Sequence, residues 1–255
     1  MKIKTLCIVQ ARMSSSRLPG KMMLDLNGRP VIARVFNQLS YSKLIDKIIL
    51  ATSIDNSDDH LYEWALRNKT DCFRGSLDDV LDRFYNAALI YNPLSIVRIT
   101  GDCPLIDPEI VDETINQYYE GKYDYFSNVD PPTFPDGMDT EIFKFSVLCE
   151  AWTNARLQSE REHVTLYIRN HKEKYKTGCY KSRINYSRLR LTLDNPEDYK
   201  LISEIYRLAG SHKRYLNLKD ILNILEKYPE LININKHINR NEGLIKSLKD
   251  DKIIK

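Results

Sequence analysis

The chain has 255 residues, 42% of them hydrophobic and 29% charged, with a formal net charge of +3. That balance excludes a disordered chain, which lacks the apolar residues for a core. A net charge this small gives no electrostatic case for nucleic acid as a partner. No apolar run approaches the ~20 residues of a membrane helix, and residues 1–10 are too short for a signal peptide and lack a small-residue cleavage site. A soluble, cytoplasmic protein with no membrane partner is expected. Five cysteines (Cys7, Cys72, Cys103, Cys149 and Cys179) are scattered with no CxxC pair, so reduced thiols are expected rather than zinc ligands or disulfides.

In chain order, residues 4–10 read as a buried strand around Leu6, Cys7, Ile8 and Val9, followed by a bend-rich loop over 11–21. Residues 30–39 have helical spacing, 47–52 form a second strand and 58–68 a helix. A short strand is expected over 72–74. Residues 77–91 read as an amphipathic helix opened by Ser76, with Asp79 three residues on in a near capping box. A strand over 95–100 and a helix over 108–119 complete a βαβα rhythm. Such a rhythm implies an α/β fold: a mainly parallel, mixed sheet with helices on both faces. Beyond it, a strand is expected over 123–128, a Pro- and Gly-rich loop over 131–139 and helices over 146–157 and 160–171. Strands over 176–179 and 189–192 and helices over 195–208 and 217–228 follow. The division expected is one domain over 1–230 and a loosely packed, Asn- and Lys-rich polar tail over 231–255.

Three segments sit at expected strand ends, where open parallel sheets bind ligands. The first, QARMSSSRLPGK over residues 10–21, brings Arg12, Arg17, Lys21 and serine hydroxyls to the end of the first strand. Arginine, lysine and backbone N–H groups are donors for a polyanion and can stabilise a pyrophosphate leaving group. The segment is not a Walker P-loop, because GxxxxGK[ST] is absent. The second, RITGDCPL over 98–105, ends a strand on Asp102; one carboxylate with phosphate oxygens is a normal way to hold Mg²⁺. The third, RLTLDNPEDY over 190–199, ends a strand on Asp194 before a helix start. Asp194 either reaches the same cation as Asp102 or belongs to an ordinary helix entrance. Two further segments are weaker: PPTFPDGMDTE over 131–141, with Asp136, Asp139 and Glu141, and EREHVT over 160–165, where Arg161 and His163 could meet an acidic acceptor.

Taken together these segments resemble the SpsF-type cytidylyltransferases of spore coat polysaccharide biosynthesis, a family related to CMP-sialate and CMP-Kdo synthetases. The resemblance is carried by QARMSSSRLPGK, GSLDDVLDRFYNAA (75–88), VRITGDCPLIDPEIVD (97–112), YDYFSN (123–128), FPDGMDTEIF (134–143), EREHVTLYIR (160–169) and RLRLTLDNPEDY (188–199), in order over roughly residues 1–210. It implies a Rossmann-like nucleotidyltransferase fold and a CTP-dependent transfer of CMP to an acidic sugar or similar small acceptor. The nucleotide would lie among Gln10, Ala11, Arg12, Ser15, Ser16, Arg17, Lys21, Arg74, Thr100 and Gly101. Arg17, Lys21, Asp102 and Asp194 would be catalytic, and Asp102 and Asp194 would hold Mg²⁺. Asp136, Asp139, Glu141, Arg161 and His163 would line the acceptor side. Relatives are often dimers, so a homodimer is the partner state considered. Three other readings stay open on the sequence: a nucleotide-sugar-dependent glycosyltransferase, although a DxD pair is missing at Asp102; a guanylyltransferase of similar fold, although the first loop is serine-rich rather than glycine-rich; and a non-catalytic nucleotide-binding module.

Overall fold

The computed structural model describes residues 3–210 and 213–254. Seven strands form one sheet: β1 (Thr5–Gln10), β2 (Lys47–Ser53), β3 (Cys72–Gly75), β4 (Ser95–Thr100), β5 (Tyr125–Ser127), β6 (Glu141–Lys144) and β7 (Thr177–Cys179), in the order β3-β2-β1-β4-β6-β5-β7. All neighbours are parallel except β6, which runs antiparallel to both β4 and β5. The chain builds outward from β1 to β3 and then restarts on the other side of β1 at β4. That reversal leaves a crevice at the carboxyl ends of β1 and β4. The register sets those ends level, since Gln10 pairs with both Ala51 and Thr100.

Side chains alternate across a strand, so a strand buried on both faces must be apolar throughout. In β1, Cys7 and Val9 join a core on one face while Leu6 and Ile8 join a second core on the other. The first core is covered by α1 (Val31–Leu39), α2 (Asp59–Arg67), α4 (Pro108–Gly121), α8 (Pro196–Ala209) and α9 (Leu218–Lys227). The second is covered by α3 (Val80–Tyr91), α5 (Phe145–Asn154) and α7 (Leu166–Asn170). The short α6 (Gln158–Glu162) precedes α7, and α10 (Glu242–Lys249) lies near the C-terminus. Among the described residues no helix is long and apolar enough to cross a membrane.

Five expectations change. The helix expected from residue 77 starts at Val80, capped by Asp79, whose carboxylate accepts from Asp82 N; Ser76 Oγ instead accepts from Asp79 N. The helix expected over 160–171 is broken into α6 and α7, with Val164 between them at φ +49° and fully buried. The segment 189–192 makes no sheet strand and pairs only through a bridge between Asp136 and Arg190. The antiparallel β6 was not expected; it is four residues long, opens on a carboxylate and runs straight into α5. Finally, the segment after residue 230 packs against the rest of the chain: Leu231 and Asn235 are buried, and Ile253 bridges to Leu157.

Candidate active site

The loop after β1 is pinned at Met13, whose N–H donates to Asp58 at 2.6 Å. Asp58 is fully buried and also accepts from Thr52 and Ser53. Within the loop, Met13 O accepts from Ser15 N and Gly20 N, and Ser15 Oγ accepts from Leu18 N. These bonds turn the chain so that Lys21 enters the protein rather than solvent, leaving it only 6% exposed.

Lys21 is the centre of the site. Its Nζ donates to Asp102 Oδ2, Asp194 Oδ1 and the Leu193 carbonyl, each at 2.9 Å. Burial opposes the ammonium charge, but the two carboxylates outweigh it and hold the lysine pKa above its usual value. Burial likewise opposes charge on Asp102, yet Lys21 and Thr100 keep it below the ordinary carboxylate range. Three segments far apart in sequence thus meet on one ammonium group. The backbone reinforces the junction, because Leu193 N donates to Asp102 O at 2.8 Å.

Asp194 is oriented by the start of α8. Asp198, fully buried in the first turn, accepts from the N–H groups of Asp194 and Asn195 and forms a two-point pair with Arg190. Arg190 also reaches Asp136 at 2.9 Å and Asp194 at 3.1 Å. Asn235 completes this hub by donating to Arg190 O and Asp198 Oδ1. The loop bearing Asp136 can approach only because Gly137 lacks a side chain. A Cβ there would meet the Leu191 carbonyl carbon at 2.5 Å, and Gly137 has φ +100°.

A second charged layer lies on the β4–β6 side. Glu141 is paired with Arg98 and accepts from Tyr125 Oη and Thr165 Oγ1, both at 2.6 Å. Burial would raise its pKa, but Arg98 and Arg169 with these hydroxyls bring it down to about 2. Asp139 is paired with Arg240. Burial and then the neighbouring Asp139 charge push Asp136 up to about 7. Burial also lowers His163 to about 4, so its ring is neutral near pH 7, with Nε2 3.0 Å from Ser247 Oγ.

These groups line one cavity of about 920 Å³. Gln10, Ala11, Arg12, Ser15, Ser16, Arg17, Lys21, Thr100, Gly101, Asp102, Asp136, Asp139, Glu141, His163 and Asp194 all face it. Arg74 and Arg161 do not. Arg74 ties the end of β2 by donating to Ser53 O and Asp55 O and pairing with Asp59. Arg161 clamps Asp79 and Trp152 O. An arginine beside a sheet edge cannot be assigned to ligand or scaffold by spacing, since either environment supplies acceptors.

The family model for "Cytidylyltransferase" matches residues 6–224. The chain belongs to the cytidylyltransferase family. It is 33% identical to the spore coat polysaccharide biosynthesis protein SpsF of Bacillus subtilis, over 88% of this chain and 95% of that protein. A cytidylyltransferase structure from Leptospira borgpetersenii superposes with a TM-score of 0.83 at 34% identity, covering 91% of this chain and 97% of the other. At 14% identity, a CMP:2-keto-3-deoxy-manno-octonic acid synthetase structure complexed with CTP shares the fold, with a TM-score of 0.61 over 81% of this chain and all of that one. The SpsF-type resemblance and the Rossmann-like nucleotidyltransferase fold both hold, and the enzyme is a CTP-dependent nucleotidyltransferase.

The carboxylates of this cytidylyltransferase suit a hard divalent cation. Asp102 and Asp194 converge on one point, where Asp102 Oδ2 and Asp194 Oδ1 both meet Lys21, while Asp102 Oδ1 lies 3.7 Å from the Cys103 thiol. No group of three or more His, Cys, Asp or Glu that could hold a metal occurs among the described residues. A metal here would take its remaining ligands from substrate and water, the habit of Mg²⁺ rather than of structural zinc.

Several cavity residues escaped the sequence reading. Arg98 and Arg190 carried a signal, a charge inside an apolar run that must be buried with a partner. Arg83, Arg169, Arg240 and Glu242 also face the cavity without any local mark in the sequence.

Proposed function

We propose that this cytidylyltransferase transfers CMP from CTP to an acidic sugar or similar small acid, with Mg²⁺ as cofactor, and releases pyrophosphate. The reaction belongs to precursor synthesis for a surface polysaccharide or glycoconjugate, in the cytoplasm where CTP is made. The observation that carries the reading is the buried Lys21 held between Asp102 and Asp194 beside a loop bearing Arg12 and Arg17.

An acceptor oxygen attacks the α-phosphorus as the bond to the bridging oxygen of pyrophosphate breaks. The charge that develops moves onto the α-phosphate and the departing pyrophosphate. Lys21 is held at that end of the cavity with Arg17 and Arg12 beside it, so positive charge already stands where the negative charge develops. A divalent cation on Asp102 and Asp194, when bound, supplies further positive charge to the phosphates and acidity to the attacking hydroxyl. On the acceptor side, Arg98, Arg169, Arg190 and Arg240 line the cavity. Three of them are paired with carboxylates. Arg169 makes no side-chain hydrogen bond or ion pair among the described residues, and its Nε is buried without a partner. A planar guanidinium of this kind matches an acceptor carboxylate.

The test is pyrophosphate release with Mg²⁺ and CTP, GTP, ATP or UTP against a panel of carboxylic-acid sugars, small organic acids, phosphorylated small acceptors and neutral sugars. Acceptor-dependent release with CTP alone is expected. Release with phosphorylated or neutral acceptors but no acid would overturn the acidic-acceptor assignment.

A further inference from the structure

Arg83 is 1% exposed, on the first turn of α3. Its Nη1 donates to Ser76 O at 2.9 Å, while Nε is buried without a hydrogen-bond partner. The carboxylates whose charge acts on it, Asp58 and Asp79, are committed elsewhere. Asp58 serves Met13, Thr52 and Ser53, and Asp79 serves Arg161. A buried guanidinium nitrogen with no acceptor is costly unless a ligand supplies one. The fold makes room for this one deliberately: at Gly75 a Cβ would lie 2.9 Å from Phe73 Cε1 and 3.2 Å from Arg83 Cγ.

Arg83 lines the cavity with Gln10, Arg12 and Val80, while Asp102, Asp194 and Lys21 lie on the β4 side. The helix that carries Arg83 follows β3 and lies over β3, β2 and β1, packed most heavily on β3 and so on the side of β1 away from β4. A nucleotide with its phosphates on the first loop would extend its base toward this helix.

We propose that Arg83 is the residue that selects cytosine, its free donor edge facing the O2 and N3 acceptors of the base. The assignment rests on the CMP-transfer reading. A guanidinium offers donors only. Cytosine presents two adjacent acceptors, O2 and N3, whereas uracil places an N–H donor at position 3. The Nε–Nη2 edge therefore pairs with cytosine and opposes uracil. Val80, beside it, gives the ring an apolar neighbour.

The experiment is calorimetric binding of CTP, UTP and GTP with Mg²⁺ and no acceptor, to wild type, Arg83→Met and Arg83→Lys, with melting temperatures of the nucleotide-free proteins. Wild type is expected to favour CTP over UTP tenfold or more, the usual worth of a two-point base contact. Arg83→Met should lose that preference through weaker CTP binding, with UTP binding unchanged or tighter, since the donor facing uracil N3–H is gone. Its melting temperature should not fall, because an unpaired buried charge has been removed. Arg83→Lys keeps the charge without the fork and should also lose the preference; it decides the matter if the methionine variant fails to fold. A preserved CTP/UTP ratio, or an equal loss for both nucleotides, would overturn the assignment while leaving CMP transfer standing. A wild type that binds GTP in place of CTP, or no nucleotide at all, would instead overturn the CMP-transfer reading, and base selection with it.

Discussion

Arg17 and Glu242, 225 positions apart, form an ion pair at 2.7 Å on the wall of the cavity. The same guanidinium lies 3.2 Å from Asp194. On the proposed reaction, Glu242 thus occupies a cation that the triphosphate would engage. Exposed pairs of this kind are worth at most about 1 kcal/mol. Glu242→Gln should therefore tighten CTP binding roughly two- to fivefold with kcat unchanged, as read from a CTP titration at fixed acceptor. Weaker CTP binding in this variant would mean that Glu242 helps to seat the nucleotide.

Asp102 and Lys21 should separate catalysis from stability. Asp102→Asn keeps the shape but loses a full charge, and turnover should fall roughly 10²-fold or more with an unchanged circular dichroism spectrum. Lys21→Met leaves two partly buried carboxylates facing one another without their cation. It should lower apo stability by about 2 kcal/mol, in addition to slowing the reaction. Added Mg²⁺ should raise the melting temperature of Lys21→Met more than that of wild type, because the metal replaces the lost charge. Equal shifts in both proteins would show that the cation binds elsewhere.

The pH profile of stability should carry the mark of Asp136. Burial and Asp139 raise its folded pKa to about 7, above the ~3.9 of a free aspartate. In that window the folded state holds more protons than the unfolded one, so stability falls as pH rises from about 4 toward 7. Replacing Asp136 by Asn removes this contribution. Relative to wild type, Asp136→Asn should gain stability progressively across that range in urea titrations. A constant difference between the two proteins would rule out the titration.

Gly137→Ala tests the contact between the loop that carries Asp136 and the segment that carries Arg190. The added Cβ would meet the backbone of residues 191–192 at 2.5 Å, at a left-handed φ. Roughly 2–4 kcal/mol of stability should be lost. Activity should fall as well, since Asp136 N bonds Leu189 O and Leu191 N bonds Asp136 O. Unchanged denaturant midpoints would show that the loop has an alternative path.

What the sequence disclosed follows from where physics acts locally. The strands β1, β2 and β4 were legible because burial on both faces demands apolar runs. Asp102 and Lys21 were legible because strand ends and a basic loop announce a ligand edge. The role of Arg74 was not, because its guanidinium satisfies three oxygens of its own neighbourhood. The break at Val164 was invisible for a related reason. Its turn is imposed by the core around Val164 and by the Thr165–Glu141 bond, and neither is a property of the local pattern. The packing of residues 231–254 depends on partners such as Arg190, Asp139 and Arg17, all distant in the chain.

Arg190 holds Asp136 on one nitrogen and Asp194 on another. An acceptor that draws Asp136 away must therefore alter the field at Asp194, and a cation bound at Asp194 must alter the hold on Asp136. Linkage makes that influence reciprocal. Whatever factor the acceptor imposes on metal affinity, the metal imposes on acceptor affinity, so a single guanidinium would couple the two sites equally, whichever is filled first.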